Sequence, residues 1–218
     1  MSLPAFVEAT PYWLSLPTVA VAAFEGALIG RESRAPRFDV VGVVVLALVL
    51  GLTGGIARDL LLGNLPVVAI RTPWYLVATG AAALLVLLLH RHVPPLDGMW
   101  FVILDALALG LYTAVGTRLA LDLGVSTLGA LFVGVVAGIA GGVVVAMLRG
   151  TTPAILVPGI YYAMIALAGA VTYALVKPAS APLAAFSCVL LVICTRIIAV
   201  RFNLGTRALP LIGREPPA

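Results

Sequence analysis

Gly51-Leu-Thr-Gly54-Gly55-Ile-Ala-Arg58-Asp59-Leu-Leu-Leu-Gly63-Asn-Leu-Pro66 returns later in the chain as Gly138-Ile-Ala-Gly141-Gly142-Val-Val-Val145-Ala146-Met-Leu-Arg149-Gly150-Thr-Thr-Pro153, at an offset of 87 residues. The same offset maps Gly42 onto Gly129 and Tyr75 onto Tyr162. Both copies lie in long apolar segments. A glycine in a helix interior costs about 1 kcal/mol relative to alanine. Two glycine pairs at matched places therefore predict two broken or kinked helices. Interrupted segments at corresponding positions of two halves point to a transport or conduction site.

Working outward, the rest of the chain supplies a membrane setting. Of 218 residues, 62% are hydrophobic and 10% charged, where a soluble domain carries about a quarter charged residues. The mean hydropathy is +1.17. The chain reads as an all-α integral membrane protein, one transmembrane domain over 1–218 with room for no separate soluble domain. The net charge of +4 reflects arginines at helix ends and implies no nucleic acid. Cys188 and Cys194 match no metal spacing and read as small packing residues. Residues 1–30 hold no Lys or Arg, and Glu8 and Glu25 interrupt the stretch, unlike a cleavable signal.

Seven spans are expected, at about 14–30, 38–62, 73–91, 98–118, 126–148, 159–176 and 182–203, each near the ~20 residues a bilayer requires. Pro, Gly or charge separates them. With the N-terminus outside, nine arginines fall on the inner side (31, 34, 37, 91, 149, 196, 201, 207, 214), against Arg71, Arg118 and Lys177 outside. The positive-inside rule thus predicts an outside N-terminus and a cytoplasmic C-terminus. The repeat covers three spans, an odd number, so the second copy enters from the opposite face. The expected architecture is a 3+3 inverted repeat, about 14–91 and 98–176, plus an extra helix at about 182–203.

Ionisable residues within spans are expected to face protein or water. Arg58 and Asp59 either line a pore or bond to helix ends and hold the kink together. Glu25 and Asp105 lie at similar depth near the inner end. They either attract cations into a vestibule or are paired, snorkelling charges. Trp13, Trp74, Tyr75, Trp100, Tyr161 and Tyr162 are read as interfacial anchors. His90 and His92 read as solvated. No nucleophile–base set, metal cluster or phosphate loop is present, and an enzyme is not expected.

The Gly-Gly-x-x-Arg-Asp stretch at 54–66, the segment from Asp105 to Thr117 and the Gly141-Gly142 copy resemble the bacterial and archaeal trimeric intracellular cation (TRIC) channel family. The resemblance covers about residues 14–203. It implies a seven-helix protomer in a homotrimer embedded in membrane lipid. Each protomer has its own pore for monovalent cations, mainly potassium, walled by kinked second and fifth helices with the first and fourth. The pore candidates are Gly54, Gly55, Arg58, Asp59, Gly141, Gly142, Glu25, Asp105, Thr53 and Tyr112. No cofactor is implied beyond permeant potassium or sodium ions and bound lipid, and the setting is a prokaryotic cell membrane. Val145 and Ala146 stand where the family's second copy often has its own Arg-Asp, and Glu25 stands where it usually has a small polar residue. Glu25 is expected to make the vestibule more cation-attractive and conduction pH-dependent. Some members are labelled glycine transporters, so a small-solute carrier using the same midplane site is the alternative function.

Overall fold

The computed structural model describes residues 12–32, 38–89, 94–157 and 161–205. The inner-side residues Arg34, Arg37, His90, Arg91, His92, Arg207 and Arg214 lie outside the described residues. Among those described, eight helices and no strand occur: α1 Tyr12–Glu32, α2 Val40–Leu61, α3 Val68–Arg71, α4 Pro73–Leu88, α5 Met99–Asp122, α6 Thr127–Leu148, α7 Tyr162–Val176 and α8 Ala181–Arg201. Five of them (α1, α2, α5, α6 and α8) are long and apolar enough to cross a membrane. The apolar α4 and α7 have 16 and 15 residues.

α1 packs along α2 and against α4. α5 packs along α6 and against α7, while α8 lies on α5 and α7. Small residues permit the tightest of these contacts. Ala22, Ala23, Gly26, Ala27 and Gly30 line one side of α1, and a Cβ on Gly26 would overlap the Leu46 carbonyl of α2. In lipid, where apolar burial alone does not favour helix association, such close backbone approach is a main source of it. Large apolar side chains on the outer faces, such as Leu84, Phe132, Leu175 and Phe186, are exposed. They suit a hydrocarbon solvent.

α2 and α6 are built alike at the offset of 87. Asp39 and Ser126 begin them, each accepting from the backbone N–H three residues on, Gly42 and Gly129. Gly63 and Gly150 end them in the left-handed region, at φ 67 and 68. Asn64 N–H then donates back to Asp59 O at 2.8 Å, and Thr151 N–H to Ala146 O at 2.9 Å. Glycine is the residue that adopts positive φ without strain, which explains both stops.

No break occurs at the glycine pairs: both helices continue through Gly54-Gly55 and Gly141-Gly142 as α-helix. The first glycine of each pair serves a close crossing of α2 over α6. A Cβ on Gly54 would overlap the Ala137 carbonyl, and one on Gly141 would come within 3.0 Å of the Leu50 carbonyl. Ala137 and Leu50 are themselves 87 residues apart. Each helix thus lays a glycine against the other's backbone oxygen, which makes weak Cα–H···O contacts available. The second glycine of each pair meets almost nothing: a Cβ would find Arg58 Nη2 at 4.0 Å from Gly55 and no atom within 4 Å of Gly142.

Candidate functional site

Three adjoining cavities lie in the helix bundle, the main one sharing lining residues with each of the others. The main one, about 450 Å³, lies between α1, α2, α5 and α6, with Gly54, Gly141 and Gly142 in its wall. It shares Ile29, Phe101 and Arg149 with a second space of about 590 Å³ at the end of the bundle where α1 and α6 finish, beside Glu32 and Asp97. On its other side it meets Tyr112, whose ring also lines a third cavity of only about 20 Å³. Tyr112 is the septum. Its hydroxyl donates to the Gly51 carbonyl, and its ring would be struck by any side chain at Gly54. Arg196 and Tyr162 line the main cavity as well.

Asp105, on the second turn of α5, is held there by two groups. Arg196 Nη2 of α8 donates to Oδ2 at 2.5 Å, and the Tyr162 hydroxyl of α7 donates to Oδ1 at 2.9 Å. The Arg196 guanidinium also lies over the Tyr162 ring, 4.8 Å from its centre, a favourable cation–π placement. Glu25 is 5% exposed and faces the same cavity. Two carboxyls thus face the cavity, and Asp105 is the one paired to Arg196. Arg149 caps the end of α6 at the cavity mouth.

Arg58 and Asp59 are elsewhere, on the small cavity, and their bonds are those of a helix-end role. Arg58 donates from Nε and Nη2 to Asp59 Oδ1 at 2.9 and 2.7 Å. Asn64 Nδ2 reaches the same oxygen at 3.4 Å, and Asp59 Oδ2 accepts from Val68 N–H at 2.8 Å. That last bond starts α3, a helix the sequence reading did not anticipate. A four-residue helix has no periodicity to read, and its start depends on a carboxylate nine residues upstream. Arg58 and Asp59 are 4% and 1% exposed, so this mutual pairing meets the requirement that buried charge be compensated.

The ten pore candidates thus divide. Gly54, Gly141, Gly142, Glu25, Asp105 and Tyr112 meet at the main cavity, while Gly55, Arg58 and Asp59 line the small one. Thr53 lines none of the three, because one residue before Gly54 on a helix points about 100° away. Arg196 and Tyr162 were missed. The signals were an arginine inside the last apolar run and a tyrosine that repeats Tyr75. The sequence alone points to both tyrosines as interfacial anchors. Instead, Tyr75 is 4% exposed and shares a 2.7 Å hydrogen bond with Ser15, while Tyr162 reaches into the main cavity. A tyrosine hydroxyl at depth usually finds a partner, and here both do. Cys188 is a buried packing residue; Cys194 is exposed on the lipid-suited surface.

Residues 12–91 and 102–178 match the family model described as Glycine transporter. The chain belongs to that family. A curated relative, the UPF0126 inner membrane protein YadS of Escherichia coli K12, is 30% identical over 195 residues, covering 88% of this chain and 93% of YadS. Among solved structures, a prokaryotic TRIC channel crystallised in 0.5 M KCl superposes with a TM-score of 0.79 at 25% identity, covering 88% of this chain and 95% of that one. The TRIC trimeric intracellular cation channel orthologue from Rhodobacter sphaeroides gives a TM-score of 0.78 at 28% identity, covering 88% and 97%. The fold of this family member is that of the prokaryotic TRIC channels, as the motif resemblance implied. Its relatives are bacterial membrane proteins and channels, and the chain is a multi-pass membrane protein, not an enzyme.

Proposed function

We propose that the chain is a monovalent-cation channel, conducting potassium through a pore in each protomer of a homotrimer. The observation that carries this reading is the pair of cavities meeting at Tyr112, with Glu25 and Asp105 lining the main one, of about 450 Å³. Carboxyls on the low-dielectric walls of a cavity attract cations, here offset by Arg149 and Arg196 in the same lining. The TRIC channels of the same fold support it. Seven helices span the membrane in this reading, with α4 and α7 short enough, at roughly 24 and 22 Å for 16 and 15 residues, to need local thinning of the bilayer. The matched caps, stops and glycine–carbonyl contacts of α2 and α6 support a 3+3 inverted repeat with α8 outside it. The arginine distribution puts the N-terminus outside and the wide cavity mouth at the cytoplasmic face. No cofactor takes part, only the permeant ion. With Tyr112 bonded to Gly51, the described conformation is closed between the two cavities.

A second reading is a small-solute carrier. The main cavity holds Glu25 at depth and Arg149 at its mouth, a separation of opposite charges that suits a zwitterion such as glycine. Reconstitution of the purified protein decides between them. Unitary potassium currents establish the channel; saturable glycine uptake with counterflow and no unitary current establishes the carrier.

Glu25→Gln removes one of the two carboxyls facing the main cavity. Cation conductance is expected to fall, most at low ionic strength, where the screening length is about 30 Å at 0.01 M salt, and its pH response is expected to flatten. Planar-bilayer recordings across salt and pH check this. Unchanged conductance would make Glu25 a structural charge only.

A further inference from the structure

The main and small cavities are the same place in the two halves of the chain. Gly55, Arg58 and Asp59 line the small cavity, and Gly142, Val145 and Ala146, each 87 residues on, line the main one. Tyr75 and Tyr162 correspond in the same way, as do Thr18 and Asp105. In the first half the guanidinium of Arg58 and the carboxylate of Asp59 occupy the space, leaving about 20 Å³. In the second half neither side chain exists, and about 450 Å³ stands open.

Yet a guanidinium and a carboxylate are present there too, from other elements. Asp105 comes from α5, at the position of Thr18, and Arg196 comes from α8, which has no counterpart in the first half. Arg196 is paired to its carboxylate at 2.5 Å, as Arg58 is at 2.7 Å. Its side chain is 11% exposed, and its Nε is buried without a hydrogen-bond partner. The pair is thus less completely satisfied than Arg58–Asp59, where Nε also donates to the carboxylate.

We infer that Arg196 replaces, in the second half, the arginine that position 145 lacks, and that as a tethered cation inside the open cavity it sets the charge selectivity of conduction. The inference rests on the channel reading for its selectivity and on the geometry alone for its pairing. The cavity is lined by Glu25 and Asp105 against Arg149 and Arg196, a balanced set. A permeant cation reaching Asp105 must displace or pass the guanidinium already there. Removing that guanidinium leaves two carboxyls against one arginine. Returning a guanidinium from position 145, whose side chain lines the same cavity, restores the balance.

The test compares the full-length chain with Arg196→Gln, with Asp105→Asn/Arg196→Gln and with Val145→Arg/Arg196→Gln, in liposomes under a KCl gradient. Thermal unfolding of the purified proteins is followed in parallel. Arg196→Gln is expected to move the reversal potential toward the potassium equilibrium value and raise low-salt conductance by up to about tenfold, the lower end of charge focusing. It is also expected to lower the unfolding temperature. Both double variants return the reversal potential to that of the parent, and Asp105→Asn/Arg196→Gln recovers the unfolding temperature. A parental reversal potential in Arg196→Gln, or a shift that neither double variant reverses, overturns the inference. Should the parent itself carry no current, the channel reading fails separately and the unfolding arms decide: no loss of stability in Arg196→Gln then overturns the pairing role.

Discussion

Asp59→Ala is expected to cost about 3–5 kcal/mol of stability, the range for removing one partner of a buried ion pair. The loss has three parts in one place. Arg58 is left charged and 4% exposed with no acid beside it. Asn64 loses the acceptor of its Nδ2, and the Val68 N–H that begins α3 loses its cap. Asp59→Asn keeps an oxygen for Val68 N–H and is expected to recover part of the loss. Asp122→Ala is the comparison. Asp122 also binds two cations, Arg118 at 3.4 Å and Lys177 at 2.5 Å, but its side chain is 29% exposed, and such pairs contribute about 0.2–1 kcal/mol. Denaturant or thermal unfolding of the detergent-solubilised protein measures both. Equal effects of Asp59→Ala and Asp122→Ala would refute the role assigned to Asp59.

The second large effect separates neighbours in the glycine pairs. Gly54→Ala is expected to destabilise by about 1–3 kcal/mol, the usual cost of overpacking, because its methyl group would overlap the Ala137 carbonyl and the Tyr112 ring. Neither can retreat easily, since one is helix backbone and the other is tied to Gly51. Gly141→Ala meets Leu50 O and Cδ1 at 3.0 Å and should follow with a smaller loss. Gly55→Ala and Gly142→Ala meet open space, and the gain in helix propensity, up to about 1 kcal/mol, leaves them neutral or slightly stabilised. Their methyl groups project toward cavities, so any change they produce belongs in conductance. Unfolding measurements on the four single variants check the ordering; equal losses at Gly54 and Gly55 would sink the crossing argument.

That split between adjacent glycines marks how far sequence alone reaches. The membrane class, the helical spans and the 87-residue correspondence follow from hydropathy and spacing, since a bilayer demands long apolar helices and a repeat copies its caps and stops. Asp39 and Ser126, or Gly63 and Gly150, act within a few residues of themselves, so local sequence contains their reasons. The inward facing of Glu25 and Asp105 was legible for a similar cause, because charged groups in apolar helices must face protein or water. What only the tertiary structure decided is which surfaces meet. A glycine pair can read as a break or as a close approach, and the Ala137 and Leu50 carbonyls that the first glycines meet belong to the opposite helix. Arg196 lies 91 residues from Asp105, and nothing in either segment specifies the other. Pairings of that kind depend on how α8 docks against α5, a balance of many weak contacts spread over both helices, and so they become visible only in the folded chain.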